Sequence, residues 1–351
     1  MPNTYTELDT LFSDISTAIK TKTGSSSAIV ADNFPNAISA IPAGAPDGHS
    51  WTQITTVPYS NIDKIVYGNG VFIALDPYAA QHIIRSENGI TWTEVTISNW
   101  EGTVGIAFGN HVFVIMGGAP YESAAPIAYS SDGLNWTVTT TVIPADGDDF
   151  DMYATLCFGR GRFVINSQYG VCIDSENGQT WRLASSADSD LGSCYGNNKY
   201  VFTWTGHGGE YAVWNADLSE RLYTGSFFPS QTYGGSPYGG FVGDKFIFGT
   251  DFNNKIKYSY DALTWYESTL PVDGTGLQWG YFTYGNGKYL ATINADRNYI
   301  LMSTNGINWT DITPSEIDAD AINGPIIYKD GIFVILGRNG KGAYSRTTNY
   351  Y

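Results

Sequence analysis

The stretch VYGNGVFIAL, running from Val66 to Leu75, returns six more times along the chain. The copies are AFGNHVFVIM from Ala107, CFGRGRFVIN from Cys157, CYGNNKYVFT from Cys194, FVGDKFIFGT from Phe241, TYGNGKYLAT from Thr283 and IYKDGIFVIL from Ile327. Each puts an aromatic residue ahead of a glycine- or asparagine-rich turn and an apolar run behind it, which is a hairpin signal. The aromatic residues after the turn are Phe72, Phe113, Phe163, Tyr200, Phe246, Tyr289 and Phe333, spaced by 41, 50, 37, 46, 43 and 44 residues. One supersecondary unit of several short strands per step predicts a seven-bladed, all-β propeller.

A second repeat interlocks with the first. The box Ser-x-Asp/Asn-Gly-x-Thr/Asn-Trp occurs as SENGITW at Ser86, SSDGLNW at Ser130, SENGQTW at Ser175 and STNGINW at Ser303. SYDALTW at Ser259 places Ala262 where glycine stands elsewhere, and NADLSER is a remnant with Arg221 in the tryptophan position. The Asp or Asn side chain accepts N–H groups of its own turn, and glycine takes positive φ at little steric cost. The tryptophan offers a large apolar face to seal the gap between blades.

These boxes resemble the Asp-box (BNR) repeats of sialidases and other Asp-box propellers, over residues from about 51 to 351. The resemblance implies a propeller in which the boxes are structural turns. It does not imply the activity, because function resides in sites placed on a fold.

Strand counting predicts how the ring closes. The seventh unit starts near Ile326 and its third strand falls around Gly342–Arg346, where the chain is about to end. Trp51-Thr52-Gln53-Ile54-Thr55, preceded by Asp47-Gly48, matches the outer-strand pattern of Trp92-Thr93-Glu94-Val95 and Trp309-Thr310-Asp311-Ile312. The first strand is therefore expected to complete the last blade, which hides an edge that would invite aggregation.

Composition agrees: 40 glycines, 25 tyrosines, 17 phenylalanines and 10 tryptophans in 351 residues suit a turn-dense, aromatic β-protein. Lys+Arg 18 against Asp+Glu 34 gives a net charge of −16, which argues against nucleic acid or an anionic membrane as partner. No run of 18 apolar residues predicts membrane insertion. Three cysteines are too few for a disulfide framework, and Cys157, Cys172 and Cys194 read as buried reduced thiols.

Residues 1–44 are a different object from the propeller of 45–351. Leu8, Leu11, Phe12, Ile15, Ala18 and Ile19 form a helical apolar stripe, and a basic-then-apolar signal peptide is missing. Ile15, Ala18, Ile19, Lys22, Thr23, Gly24, Asn33, Phe34, Pro35, Ala37 and Ile38 resemble a short N-terminal module. That module is carried by many tail and structural proteins of phages of Firmicutes and other gut bacteria. The resemblance implies a virion tail location and attachment to other tail or baseplate proteins through residues 1–44. A unit this small does not stabilise itself well by one core, so self-association, as a homotrimer, is a further expectation. Folding back on the propeller as a lid is the alternative.

In this topology the YGNG hairpins and the boxes share one rim. The other rim, where the sequence stops repeating, is where function is expected. It carries Tyr78, Trp100, Tyr121, Phe150, Tyr153, Tyr169, Trp204, His207, Phe227, Tyr233, Tyr238, Trp279 and Tyr299. Aromatic rings there can stack on sugar rings, with Asp76, Asp148, Asp149, Asp151, Asp296, Arg297 and Arg338 able to take hydroxyls. Packing between blades is the competing role for half of the aromatics. The candidate glycan face is drawn as Tyr78, Trp100, Tyr121, Trp204, His207, Tyr233, Tyr238, Trp279 and Arg297.

No catalytic residue, metal ligand or cofactor is assigned. A sialidase needs an arginine cluster, a tyrosine–glutamate pair and an acid, and the arginine motif of that family is absent from the eight arginines of this chain. The run Asp146-Gly147-Asp148-Asp149-Phe150-Asp151 lacks the closing glutamate of an EF-hand and reads as a solvated loop. The four histidines are too scattered for zinc. The sequence thus favours a phage receptor-binding protein that recognises a bacterial cell-surface glycan or protein. A tail glycoside hydrolase using loop carboxylates such as Asp148 with Asp151, and a purely structural or adhesin propeller, are the alternatives.

Overall fold

The computed structural model describes residues 48–346, apart from 80, 101, 103–104, 118–125, 141–154, 167–171, 186–191, 205–208, 230–236, 251–253 and 273–278. Residues 1–44, Tyr121, His207, Tyr233 and the Asp146–Asp151 run therefore lie outside the described residues, as do Tyr153 and Tyr169.

Seven four-stranded antiparallel sheets surround one axis. Blade 1 runs outward from Lys64–Gly68 through Val71–Leu75 and His82–Ser86 to Thr93–Thr96. The inner strands of blades 2 to 7 are Gly105–Gly109, Thr155–Gly159, Gly192–Gly196, Pro237–Val242, Trp279–Gly285 and Ile326–Lys329. The single helical element among the described residues is a 3₁₀ turn, Ala319–Ile322. Second strands such as Val71–Leu75 and Ile332–Leu336 are buried throughout, because both of their faces pack on neighbouring blades.

Blade 7 closes as its pattern predicts. Thr52–Ile54 is its outer strand, with Thr52 opposite Tyr344 and Ile54 opposite Gly342. The box of this blade is assembled from the two ends of the described chain. Gly48 takes the positive φ of a box glycine, +75° against +74° at Gly89, and Trp51 Nε1 donates to the Gly48 carbonyl at 2.6 Å, as Trp92 does to Gly89 at 3.2 Å. Ser345 stands opposite Phe333 as Ser86 stands opposite Phe72.

The other boxes show why the pattern repeats. Asn88 Oδ1 accepts from the Ile90 and Thr91 N–H groups at 2.8 Å each, and Ser86 Oγ accepts from Gly89 N at 2.9 Å. Asp132, Asn177, Asp261 and Asn305 each accept the equivalent pair. Each box tryptophan then fills the gap to the preceding blade, as Trp92 does against Val334 and Trp309 against Ile247. In blade 4, where Arg221 replaces the tryptophan, Trp214 and Leu218 fill the gap against Val164.

Two further rings bind the blades. Each inner-strand aromatic packs on the aromatic across its own hairpin, from Tyr67 on Phe72 at 4.7 Å to Tyr328 on Phe333 at 4.6 Å between centroids. The same ring covers a hairpin glycine of the preceding blade: Phe108 on Gly68, Phe158 on Gly109, Tyr195 on Gly159, Phe241 on Gly196 and Tyr328 on Gly285. The turn asparagines reach across as well. Asn69 Nδ2 donates to the carbonyls of His111 and Ser131, and Asn110 Nδ2 to those of Gly161 and Glu176, all at 2.8 Å. Blade 5 has no such asparagine; its buried Lys245 bonds Asp244 at 2.5 Å and the Tyr289 hydroxyl of blade 6 at 2.7 Å.

Candidate functional site

The hairpins and boxes occupy one face, and the Asp, Asn and Ser side chains of the boxes are spent on the turns just described. The opposite face, where each inner strand begins, is hollow. A cavity of about 480 Å³ opens at the central axis, walled by Asp63, Lys64, Ser193, Tyr238, Tyr281 and Phe282 among others. A second cavity of about 400 Å³ adjoins it at the rim and shares Asp63 and Tyr281 with it. Pro77, Tyr78, Asn61, Asn323 and Arg338 line the second cavity.

The axial cavity owes its width to small residues on blades 4 to 6. Gly192, Gly239, Gly240 and Gly280 line it. Gly239 has φ +139°, and any side chain there would strike the Ile247 carbonyl. Tyr238 lies half-buried between blades 5 and 6, parallel to Phe282 at 6.1 Å and 9°.

The rim cavity is built where the connector from the outer strand Thr52–Ile54 to blade 1 meets blade 7. Asn61 bridges to Arg338, and Asn339 N donates to the Ser60 carbonyl at 3.1 Å. Asp76 is buried and accepts from the N–H groups of Asn61 at 3.0 Å and Tyr78 at 2.9 Å. Its carboxylate is a turn-holder, not the hydroxyl acceptor the sequence suggested. The turn it holds pushes the Tyr78 ring into solvent, 82% exposed. Burial pushes the Tyr281 phenol up, with Asp63 adding to the effect and Arg338 opposing it. Tyr281 is therefore a hydrogen-bond donor across the neutral pH range. Lys64 Nζ bonds Asp63 Oδ2 at 3.1 Å.

The nine residues of the expected glycan face scatter. Tyr78 lines the rim cavity and Tyr238 the axial one. Trp100 is fully enclosed, packed in the cluster of Leu75, Val95, Ile97 and Ile106. Its place on the face is corrected: the segment after the outer strand of blade 1 turns back, with Ile97 N on the Gln81 carbonyl at 2.8 Å, and drives the indole inward. Phe227 and Tyr299 are likewise buried. Trp204 is half-buried and donates to Glu210 at 2.6 Å. Arg297 pairs with Asp311 at 2.6 Å and lies 3.9 Å above the Tyr299 ring, outside both cavities. Asp296 accepts from the Tyr299 hydroxyl at 3.0 Å. The Trp279 backbone opens the inner strand of blade 6, while Tyr121, His207 and Tyr233 lie outside the described residues.

Asp63, Tyr281 and Asn323 escaped the sequence reading. Each sits at the mouth of an inner strand, a position that repeats in every unit, and none carries a local motif. Among the described residues, no group of three or more His, Cys, Asp or Glu side chains could hold a metal ion. No helix of the described residues is long and apolar enough to cross a membrane.

Neither a protein-family model nor a curated protein matches the chain. Solved structures do. A structure of YCF48 bound to a D1 peptide superposes with a TM-score of 0.62 at 15% identity, over 86% of this chain and 99% of that one. Selenomethionine-substituted virginiamycin B lyase from Staphylococcus aureus gives 0.65 at 11% identity, over 85% and 99%. The WD40 propeller domain of Doa1 gives 0.59 at 10% identity, over 85% and 98%. At these identities the likeness establishes the propeller fold alone.

Proposed function

We propose that this chain is a receptor-binding protein of a phage tail fibre or baseplate, which recognises a bacterial cell-surface component, a glycan, through the face opposite the hairpins and boxes. The observation that carries the reading is the pair of joined cavities on that face, flanked by the exposed ring of Tyr78. Concave sites with a few convergent polar groups are where small ligands bind. The phage-like segment at residues 1–44 supports the virion assignment, and residues 1–44 are then the link to other tail proteins.

The test is incubation of the purified protein with gut Firmicutes cells and with their isolated wall polysaccharide. Saturable binding without released sugar is the expected result. Released oligosaccharide would make the protein a glycoside hydrolase, and no binding to either would reduce it to a scaffold.

A further inference from the structure

Blade 5 carries tyrosine where the four other continuous boxes carry polar side chains. The second box position is Glu87, Ser131, Glu176 and Thr304 elsewhere but Tyr260 here. The residue after the box tryptophan is Thr93, Thr137, Arg182 and Thr310 elsewhere but Tyr266 here. All of these positions are exposed, so the turn itself asks for no ring at either place. Tyr260 and Tyr266 are 46% and 50% exposed, and Tyr284, at the hairpin of blade 6, is 43% exposed.

The three rings belong to one stripe. Tyr258 meets Tyr260 edge-on at 6.3 Å and 87° and stacks on Tyr266 at 5.4 Å. Towards the axis, Lys245 Nζ lies 5.3 Å from the centre of the Tyr260 ring and 4.2 Å from that of Tyr289, which packs on Tyr284 at 4.6 Å. The stripe thus follows the junction of blades 5 and 6 on the box face, from the outer strand to the central hairpins. Scattered exposed rings are ordinary, but contiguous ones mark an interaction site. With Tyr258 and Tyr260 at right angles, the rings make ridges and a notch rather than a flat platform for a sugar. A helix face, which carries ridges and grooves of its own, fits such a surface.

Two observations name the occupant. The sequence places an apolar helical stripe, from Leu8 to Ile19, in a segment too small to bury it well alone. That segment joins the propeller at Gly48, which packs on Leu290 of blade 6 on the same box face, one junction from the tyrosines. Residues 20–47, at up to about 3.3–3.6 Å each when extended, span that separation.

We propose that the Leu8–Ile19 stripe seats on Tyr260, Tyr266 and Tyr284 of its own propeller, making residues 1–44 a rigid mount rather than a loose tether. The seat does not depend on what the cavities bind.

Hydrogen exchange and amine cross-linking of the full chain, each over a dilution series, test it. Amides of residues 8–24 are expected to be protected at every concentration. Lys20 or Lys22 is expected to link to Lys288 on the hairpin of blade 6, not to Lys64 at the axial cavity. The double variant Tyr260→Thr, Tyr266→Thr installs residues that other boxes carry at these exposed places, so the propeller stays folded. Exchange at residues 8–24 is expected to run about tenfold faster in it, whereas Leu134→Ala on the box of blade 2 changes nothing. Exchange unaffected by the double variant, or links confined to Lys64, overturns the proposal. Protection that fades on dilution, with cross-linked dimers, gives the stripe to a second copy and overturns it too. Unprotected amides at residues 8–24 in the parent chain do the same.

Discussion

The face of the Phe108 ring in blade 2 lies directly on Gly68 in blade 1, leaving no room for even a methyl group between them. Gly68→Ala is therefore expected to lower stability by about 1–3 kcal/mol, the usual cost of overpacking. Lys329 occupies the equivalent position in blade 7, where Tyr67 instead donates to Asp330 and lies under Lys329 Nζ at 5.3 Å. Lys329→Gly should change stability far less. Urea denaturation of both variants checks the contrast, and equal losses would refute the ring-on-glycine account.

The box position that favours glycine is held by Leu218 in blade 4 and Ala262 in blade 5, at φ +62° and +61°. Both side chains are buried. Relief of the left-handed strain is worth about 1–2 kcal/mol per residue, and the flexibility of glycine costs about 0.5–1 kcal/mol. Ala262→Gly should thus be nearly neutral. Leu218→Gly also uncovers a leucine worth about 1.5–3 kcal/mol and should be the clearly destabilised variant in thermal unfolding.

Acid should loosen the boxes unequally. Asp132 accepts from Asn135 N, Leu134 N and Asn135 Nδ2, all at 2.8 Å. Chiefly through the Asn135 backbone bond, its carboxyl is held well below the usual carboxylate range. A depressed folded-state value means that stability is fully present above about pH 4 and falls as the pH drops towards the folded value. Asp261 is shifted the same way, whereas Asn88, Asn177 and Asn305 carry no titrating group. Asp132→Asn should flatten the loss of melting temperature between about pH 4 and pH 2 while leaving neutral stability little changed. A variant with an unaltered acid limb would show that the box carboxylate is not responsible.

Asn166 ends the second strand of blade 3 fully buried, with neither Nδ2 nor Oδ1 bonded. Register places Leu75 and Met116 at the same point in blades 1 and 2. Asn166→Leu is expected to raise stability by about 1–3 kcal/mol, since an unsatisfied buried amide is replaced by an apolar group. A loss of stability would mean that enclosed water answers the amide.

Much of this protein can be read before it is seen, and the part that cannot has a definite cause. Hairpin and box are local: Ser86, Asn88, Gly89 and Trp92 satisfy one another within seven residues, so the sequence states the turn outright. The closure at Tyr344 was legible because Trp51-Thr52 repeats the pattern of Trp92-Thr93, Trp136-Thr137 and Trp309-Thr310. The rim cavity joins Tyr78, Tyr281, Asn323 and Arg338 from four distant stretches, and proximity across a ring leaves no mark on local sequence. Trp100 misled for the opposite reason: a tryptophan between repeats looks like a loop residue until the backbone is seen to turn it inward.

Trp51 tests the closure. It is 7% exposed and packs on Leu290 and Ile300 of blade 6. Trp51→Ala should cost about 3–5 kcal/mol, as for other large-to-small core changes. Amide exchange is expected to accelerate first at Gln53 and Ala343, which face each other across the seam. Uniform acceleration over all seven blades would show that the seam is not a separate weak point.

The direction of the closing strand decides how the molecule can be mounted. Thr52–Ile54 runs from the box side towards the cavities, so Gly48 enters on the box side. Gly342–Arg346 runs the other way and brings Arg346 within 3.4 Å of the Asn88 carbonyl, on that same side. Both ends of the described chain, Gly48 and Arg346, therefore lie at the back of the disc. If residues 1–44 tether the propeller, as proposed, its cavities face outward like an open palm, and joining several copies through that segment would let weak single contacts add up to firm adhesion.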